Sequence, residues 1–305
     1  MRYIRGIENY NCPSHTAITL GKFDGLHRGH QKLIEQVKKH ADGQIKSVVF
    51  SFDMFPFFKE LGKQNYILMT SEEKCLRLEE QVDYLVECPF VEKIHTMDAE
   101  TFIKEVLMKK FHAKYVVVGT DFRFGYQKKG DIYLLEKYQQ ICGYKLIVIE
   151  KEMYGEREIS STFVKEEIHK GNMELAEKLL GYPYTILGTV EHGEKLGRKL
   201  GFPTMNVIPA EEKLLSPNGV YVSSVMIDGK EYRGISNVGC KPTVSDKKEK
   251  LVETFLFDYD EDAYGKKIQI RLYSFVREEK KFSSVSALQK QMRSDIEMGK
   301  GFFKK

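Results

Sequence analysis

Two imidazoles one helical turn apart, His27 and His30, are the groups in this chain best placed to do chemistry. They sit in the run Gly21-Lys22-Phe23-Asp24-Gly25-Leu26-His27-Arg28-Gly29-His30. Residues three apart on a helix share a face, so both rings can meet one anion. The apolar run Ala17-Ile18-Thr19-Leu20 before them reads as a buried strand, and Gln31 to Val37 after them spaces apolar residues as a helix does. A strand that turns through glycines into a helix leaves free N–H groups and the positive end of the helix dipole facing outward. That arrangement suits the phosphates of a nucleoside triphosphate. A lone His-x-x-His reads more simply as two polar groups at the surface; the strand, glycines and helix around this one favour a phosphate site.

The elements that must hold these residues alternate through the first half. Lys46 to Phe52, Asp83 to Cys88, Tyr115 to Gly119 and Lys145 to Ile149 read as strands. Helices open at Ser71-Glu72-Glu73-Lys74 and at Asp98, the second running to about Phe111. This alternation predicts an α/β fold with a parallel sheet covered on both faces, and ligands at the carboxyl ends of its strands, where Gly21 and Gly119 fall. After Gly181-Tyr182-Pro183 the grammar changes to short β-rich runs, Tyr184–Val190, Gly219–Ile227, Val252–Phe257 and Lys267–Phe275. Asp228-Gly229 marks a hairpin. A small antiparallel β-barrel follows from such runs, with a closing helix at about Ser286 to Met298. The expected domains are 1–182 and 183–305.

Bulk composition permits this and narrows the rest. The 305 residues are 42% hydrophobic and 30% charged, enough for two cores. A net charge of +4 suits anionic small molecules and makes no case for nucleic acid. No apolar stretch approaches the ~20 residues of a membrane span, and Met1-Arg2-Tyr3-Ile4-Arg5 does not open as a signal peptide does. The five cysteines are scattered, without a Cys-x-x-Cys, which predicts a reduced, cytoplasmic protein lacking structural zinc.

Gly21-x-Phe-Asp-Gly-x-His-x-Gly-His30 resembles the signature of the nucleotidyltransferases that use a His-x-Gly-His turn. The resemblance implies a Rossmann-like domain that transfers a nucleoside monophosphate, with Gly21, Phe23, Asp24, His27 and His30 around ATP and the two histidines catalytic. Ile159-Ser160-Ser161-Thr162-Phe163-Val164-Lys165 is similar to the superfamily's second phosphate motif, which implies phosphate contacts for Ser160, Ser161, Thr162 and Lys165; a plain helix cap is the simpler reading of the serines. Gly119-Thr120-Asp121-Phe122-Arg123-Phe124-Gly125 resembles the flavin-specific branch, which implies that Asp121, Phe122, Arg123 and Phe124 meet the flavin; core packing is the competing role of the two rings.

The run from Gly188 through Gly193, Gly197, Arg198, Gly201, Phe202, Pro203, Thr204 and Met205 to Asn206 looks like the riboflavin kinase signature. It has no Gly-Lys-Ser/Thr end and is not a Walker A loop. The family implies a glycine loop over ATP and a Pro-Thr-x-Asn turn whose Thr204 and Asn206 hold Mg²⁺ with phosphate oxygens; hard oxygen ligands are what Mg²⁺ prefers. Glu253 matches the family's catalytic carboxylate, and strand alternation points it with Phe255 and Phe257. Arg277 and Asp295 are implied flavin or nucleotide contacts.

Taken together the chain resembles the bifunctional bacterial FAD synthetases. That implies riboflavin plus ATP giving FMN in the second module, then FMN plus ATP giving FAD and pyrophosphate in the first, both with a divalent ion. Departures gather in the first module: Lys165 and Lys128 stand where arginine is usual, and Phe55 where a histidine is frequent. Lysine cannot grip phosphate as a bidentate fork, but it keeps the charge, so activity is expected. Met205 replaces a usual alanine. The alternatives are a riboflavin kinase with a decayed first module, and a flavin-binding regulator without turnover.

Overall fold

The computed structural model describes residues 1–193, 197, 200–242 and 248–304. By contacts the chain divides into two compact units, Met1–Ser161 and Thr162–Lys305.

The first unit runs β1 (Arg2–Arg5), β2 (His15–Gly21), α1 (Arg28–His40), β3 (Ile45–Asp53), α2 (Phe55–Glu60), α3 (Ser71–Leu78) and β4 (Tyr84–Pro89). It continues with α4 (Glu92–His95), α5 (Ala99–Thr101), β5 (Ala113–Gly119), α6 (Ile132–Cys142), β6 (Lys145–Ile149) and the hairpin β7 (Met153–Tyr154) and β8 (Arg157–Glu158). Strands β1 to β6 form one parallel sheet in the order β1-β4-β3-β2-β5-β6. The chain winds from β2 to one side and then returns to the other, so the order reverses between β2 and β5. Crevices at such reversals take the ligand, at the carboxyl ends of the strands. Gly21 and Gly119 end the two strands concerned.

Both faces are covered, as the apolar strands require. Val37 of α1 packs with Ala17, Ile45 and Val117. On the other side Ile18, Phe50, Val86 and Val116 meet Phe102, Ile103, Leu107 and Phe111. Those last residues belong to a segment that Asp98 caps, as its position in the sequence predicts, but from Phe102 to Lys110 the turns widen to a π-helix. The bond from Phe111 N–H to the Val106 carbonyl, 3.0 Å, spans five residues. The edge strand β1 was not legible in the sequence: of its four residues only Ile4 is buried.

The second unit contains α7 (Ser161–His169, apart from its first residue), α8 (Met173–Leu180), and strands β9 (Tyr184–Glu191), β10 (Thr204–Val207), β11 (Gly219–Ile227), β12 (Lys230–Pro242), β13 (Lys248–Leu256) and β14 (Lys267–Arg277), then α9 (Val285–Phe302). The contact division thus falls earlier in the chain than residue 182, because α8 packs on β9 and β14. The six strands close into a barrel in the order β10-β13-β12-β11-β14-β9, each pair antiparallel. Asp228 and Gly229 turn β11 into β12 with φ of 49° and 79°, the left-handed pair that a tight hairpin requires. α9 is longer than predicted and lays Ile296 against Val220 and Ile235.

Most of the barrel interior is apolar, and among the described residues a polar cluster centres on Ser236. Ser236 Oγ donates to Ser223 Oγ at 2.8 Å and shares a 2.7 Å bond with Thr254 Oγ1, all three side chains fully buried. Buried hydroxyls without partners would be costly, and here each has one.

Candidate active sites

In the first unit, β2 ends at Gly21 and α1 begins at Arg28, and the six residues between make the turn. Phe23, Gly25 and Leu26 have φ of 47°, 85° and 40°. Two non-glycine residues in the left-handed region cost on the order of 1–3 kcal/mol each. Their side chains are buried, at 0% and 1% exposure, and hydrophobic burial of this size offsets the strain. Asp24 Oδ1 accepts from the Leu68 N–H at 2.7 Å, and the Asp24 carbonyl accepts from Ser161 Oγ at 2.8 Å. His27 takes the helix cap, its carbonyl accepting from the Gln31 N–H at 3.0 Å. The opening N–H groups of α1 therefore face out of the turn.

The two imidazoles stack, ring centroids 3.7 Å apart, with Phe23 5.0 Å from His30. A Cβ on Gly29 would come within 3.2 Å of His27 Nδ1, so a small residue there lets the ring lie back on the helix. Burial lowers the His27 pKa to about 4, although Asp24 pulls the other way. His30 falls well below the ordinary histidine value, first through burial and then through the charges of His27 and Lys74. Neither Nδ1 has a hydrogen-bond partner among the described residues. Two neutral rings with unused hydrogen-bonding capacity border the crevice.

Beneath the turn lies a buried polar chain. Lys74 of α3, 5% exposed, donates from Nζ to Glu87 Oε1 at 2.6 Å and to Ser51 Oγ at 2.9 Å. Ser51 Oγ donates to the Lys22 carbonyl at 3.0 Å, and Tyr3 donates its hydroxyl to Glu87 Oε2 at 2.9 Å. Burial alone would raise the Glu87 pKa; Lys74, Ser71 and Tyr3 outweigh it and hold the carboxylate below its usual range.

The other predicted residues of this unit are placed as follows. Asp121 is exposed and paired with Lys151 at 3.0 Å, and Arg123 with Asp131 at 3.2 Å. Phe122 and Phe124 stack with centroids 5.5 Å apart, but Phe124 is buried against Phe102, so its ring is core and Phe122 is the more open of the two. Ser160 precedes α7 and Ser161 opens it; Thr162 and Lys165 follow on that helix, in the second unit. Arg28 pairs with Glu152 at 2.6 Å.

In the second unit, Thr204 and Asn206 lie on a strand, β10, rather than in the predicted turn. The correction matters, because residues two apart on a strand share a face. Asn206 stands opposite Glu253, Glu253 opposite Asn237, Asn237 opposite Val220, and Val220 opposite Arg277. One row across the barrel thus carries an amide, a carboxylate, an amide and a guanidinium. Gly193 abuts the Asn206 side-chain amide, where a Cβ would overlap it, and a Cβ on Gly197 would collide with the Phe202 carbonyl. Asn206 is 8% exposed and its Oδ1 has no partner among the described residues. A buried, unused carbonyl oxygen two residues along the strand from the Thr204 hydroxyl is an oxygen pair of the kind that fits a hard cation. Arg198 lies outside the described residues.

A cavity of about 370 Å³ opens over the row from Glu253 to Arg277, lined by Thr204, Asn237, Glu253, Phe255, Arg277 and Glu279 among others. Its volume suits a drug-sized ligand. Phe255 lines it beside Glu253, as the alternation predicts. Asp295 also lines it, but its carboxylate is taken by Arg277 Nε (3.0 Å), Arg277 Nη2 (2.7 Å) and Gln291 (2.8 Å). Asp295 therefore holds Arg277 in place. A second cavity of about 470 Å³ lies beyond β10, lined by Pro203, Thr204, Met205, Thr254, Tyr259 and Tyr264 among others. Thr204 lines both. No sequence signal gave the contacts made here by Glu279, which accepts from Asn237 at 3.2 Å, or the aromatic wall where His192 lies 3.9 Å from Tyr264.

Comparison with known proteins decides the family. Residues 10–163 match FAD synthetase and residues 180–303 match riboflavin kinase. The chain belongs to the FAD synthetase family. As a FAD synthetase with a riboflavin kinase domain behind it, the chain is a transferase that combines both modules. Proteins named bifunctional riboflavin kinase/FMN adenylyltransferase are similar along the whole length. That of Buchnera aphidicola subsp. Schizaphis graminum is 37% identical, with 99% of each chain covered. That of Escherichia coli strain K12 is 34% identical, with 99% of this chain and 98% of the relative covered. A solved structure titled as a macrolide-efflux protein from Streptococcus pneumoniae superposes on this FAD synthetase with a TM-score of 0.86 at 30% identity, over 98% of each chain. In the present chain no helix among the described residues is long and apolar enough to cross a membrane.

Proposed function

We propose that the first unit transfers AMP from ATP to FMN at the His27–His30 turn, releasing pyrophosphate, and that the second transfers the γ-phosphoryl group of ATP to the riboflavin 5′-hydroxyl at the Glu253 row. The observation that carries the reading is that row: Glu253 and Asn237 in register beneath one cavity, with Thr204 of the adjoining strand lining both that cavity and the second. Glu253 is the acceptor for the hydroxyl proton as its oxygen attacks phosphorus. Asn237 and Arg277 orient the flavin in the smaller cavity. The nucleotide takes the larger one, with Tyr264 against its base and its phosphates crossing the edge of β10 at Thr204. Thr204 and Asn206 are the residues that would hold Mg²⁺, which when bound screens the phosphate oxygens and polarises the transferred group.

At the first site His27 and His30 are neutral at pH 7 and meet the phosphates as hydrogen-bond donors. Charge growing on the α-phosphate and leaving pyrophosphate raises their proton affinity, so they bind that charge most strongly when it is largest. The N–H groups opening α1 act in the same direction. Phe122 is the flavin platform, and Ser160 and Ser161 are phosphate contacts. We place the catalytic halves on either side of residue 182, close to where the riboflavin kinase match begins. Five free cysteines suit a reducing cytoplasm.

The test is incubation with riboflavin, ATP and Mg²⁺ followed by chromatography of the flavins. FAD is expected from the parent chain. His30→Ala should stop at FMN, and Glu253→Ala should leave riboflavin untouched yet still convert supplied FMN. FAD from the His30 variant, or loss of both steps in either variant, would overturn the assignment.

A further inference from the structure

The buried Lys74 has no counterpart among the groups that would touch substrate, and its surroundings are unusual. A lysine 5% exposed is held against a glutamate 3% exposed. Such a pair is expensive to bury, and replacing it with apolar residues is often harmless to stability. Stability alone therefore does not account for it. Its neighbours give a different reason. Glu87, Ser51 and Gly21 occupy one level across β4, β3 and β2, at the carboxyl ends where the ligand crevice opens. Lys74 reaches this level from α3, whose start is fixed by a capping box between Thr70 and Glu73. Its ammonium donates to the Ser51 oxygen, which leaves the Ser51 proton for the Lys22 carbonyl. Lys22 is the first residue of the turn, directly before Phe23 with its φ of 47°. The segment before α3 is tied to the same turn through Leu68 and Asp24.

We propose that Lys74 is a positioning residue for adenylyl transfer: neutralised by Glu87, its ammonium orients the Ser51 hydroxyl, which pins the Lys22 carbonyl and so fixes the strained turn that presents His27 and His30. The inference rests on the assignment of that turn to adenylyl transfer. Glu87 serves to keep the cation buried and aimed, and Tyr3 occupies the remaining Glu87 oxygen. None of the four side chains need touch ATP or FMN for this role, so their loss should appear in turnover and leave KM for FMN nearly unchanged.

Three variants of the full chain test it, with FAD formation from FMN and ATP as the assay and riboflavin phosphorylation as the internal control. Ser51→Ala removes one hydroxyl and should fold; it is expected to lower kcat for FAD at least tenfold, with KM for FMN within about twofold and FMN formation unaffected. Lys74→Met strands Glu87 and should lower both kcat and the melting temperature. Lys74→Met combined with Glu87→Gln removes both charges; it should recover the melting temperature while kcat stays at least tenfold low. A double variant with parental kcat would show that Lys74 only compensates Glu87, and full activity in Ser51→Ala would break the proposed chain; either result overturns the proposal. If instead His30→Ala still makes FAD, the site assignment itself fails.

Discussion

The rings of His27 and His30 lie nearly parallel, tilted by 23° with centroids 3.7 Å apart, and both are neutral where they stack. Two imidazolium ions could not share that contact. The folded pKa of His27, about 4, lies below its ordinary 6.5. Below pH 6.5 the unfolded chain binds a proton that the folded turn refuses. Its contribution to stability is therefore complete above pH 6.5 and is lost as pH falls towards 4, by on the order of 3 kcal/mol. Urea titrations at several pH values should show the midpoint falling through this window, and less steeply in His27→Gln. Equal slopes for variant and parent would refute the cause.

Gly193 has no room for a side chain against Asn206. Gly193→Ala should push the amide out of the row and lower riboflavin phosphorylation at least tenfold, with a higher Mg²⁺ requirement and unchanged conversion of FMN to FAD. Initial rates across a magnesium series would show it.

Arg277 and Asp295 form a pair in which the carboxylate is 1% exposed. Removing one member strands the other. Asp295→Ala should cost about 3–5 kcal/mol, whereas Arg277→Met with Asp295→Leu should recover much of that while still failing to phosphorylate riboflavin. Thermal melting beside the kinase assay separates the two effects.

The bonds among Ser223, Ser236 and Thr254 call for a graded series. Thr254→Val leaves Ser236 its bond to Ser223 and should cost about 1 kcal/mol. Ser236→Ala deprives both neighbours and should cost about 1–3 kcal/mol more. Denaturant midpoints in the order parent, Thr254→Val, Ser236→Ala are expected; the reverse order would contradict the network.

Much of this molecule was legible because its signals are local. Glycines between an apolar strand and an amphipathic helix located the His27 turn, and Asp228-Gly229 located its hairpin. What escaped depends on partners distant in sequence. The family resemblance implies a turn at residues 204–206, and four residues after a proline carry no periodicity of their own; only pairing with β9 and β13 makes β10 a strand. Lys74 looks like an ordinary solvated helix residue. The available hint was Glu87 inside an otherwise apolar strand, since a buried carboxylate must find a cation. The engagement of Asp295 by Arg277, 18 residues earlier, cannot be seen in one dimension either.

The hydroxyls inside the barrel bear on how β12 and β13 find each other. Ser236 lies opposite Thr254, and their neighbours Asn237 and Glu253 lie opposite one another, facing the cavity. Slipping β13 by one residue would reverse its faces, turning Glu253 into the closed interior and leaving the hydroxyl of Ser236 without its companion. A misaligned sheet would thus confine a carboxylate with nothing to neutralise it. The alternation that equips the outer face also proofreads the assembly of the strands.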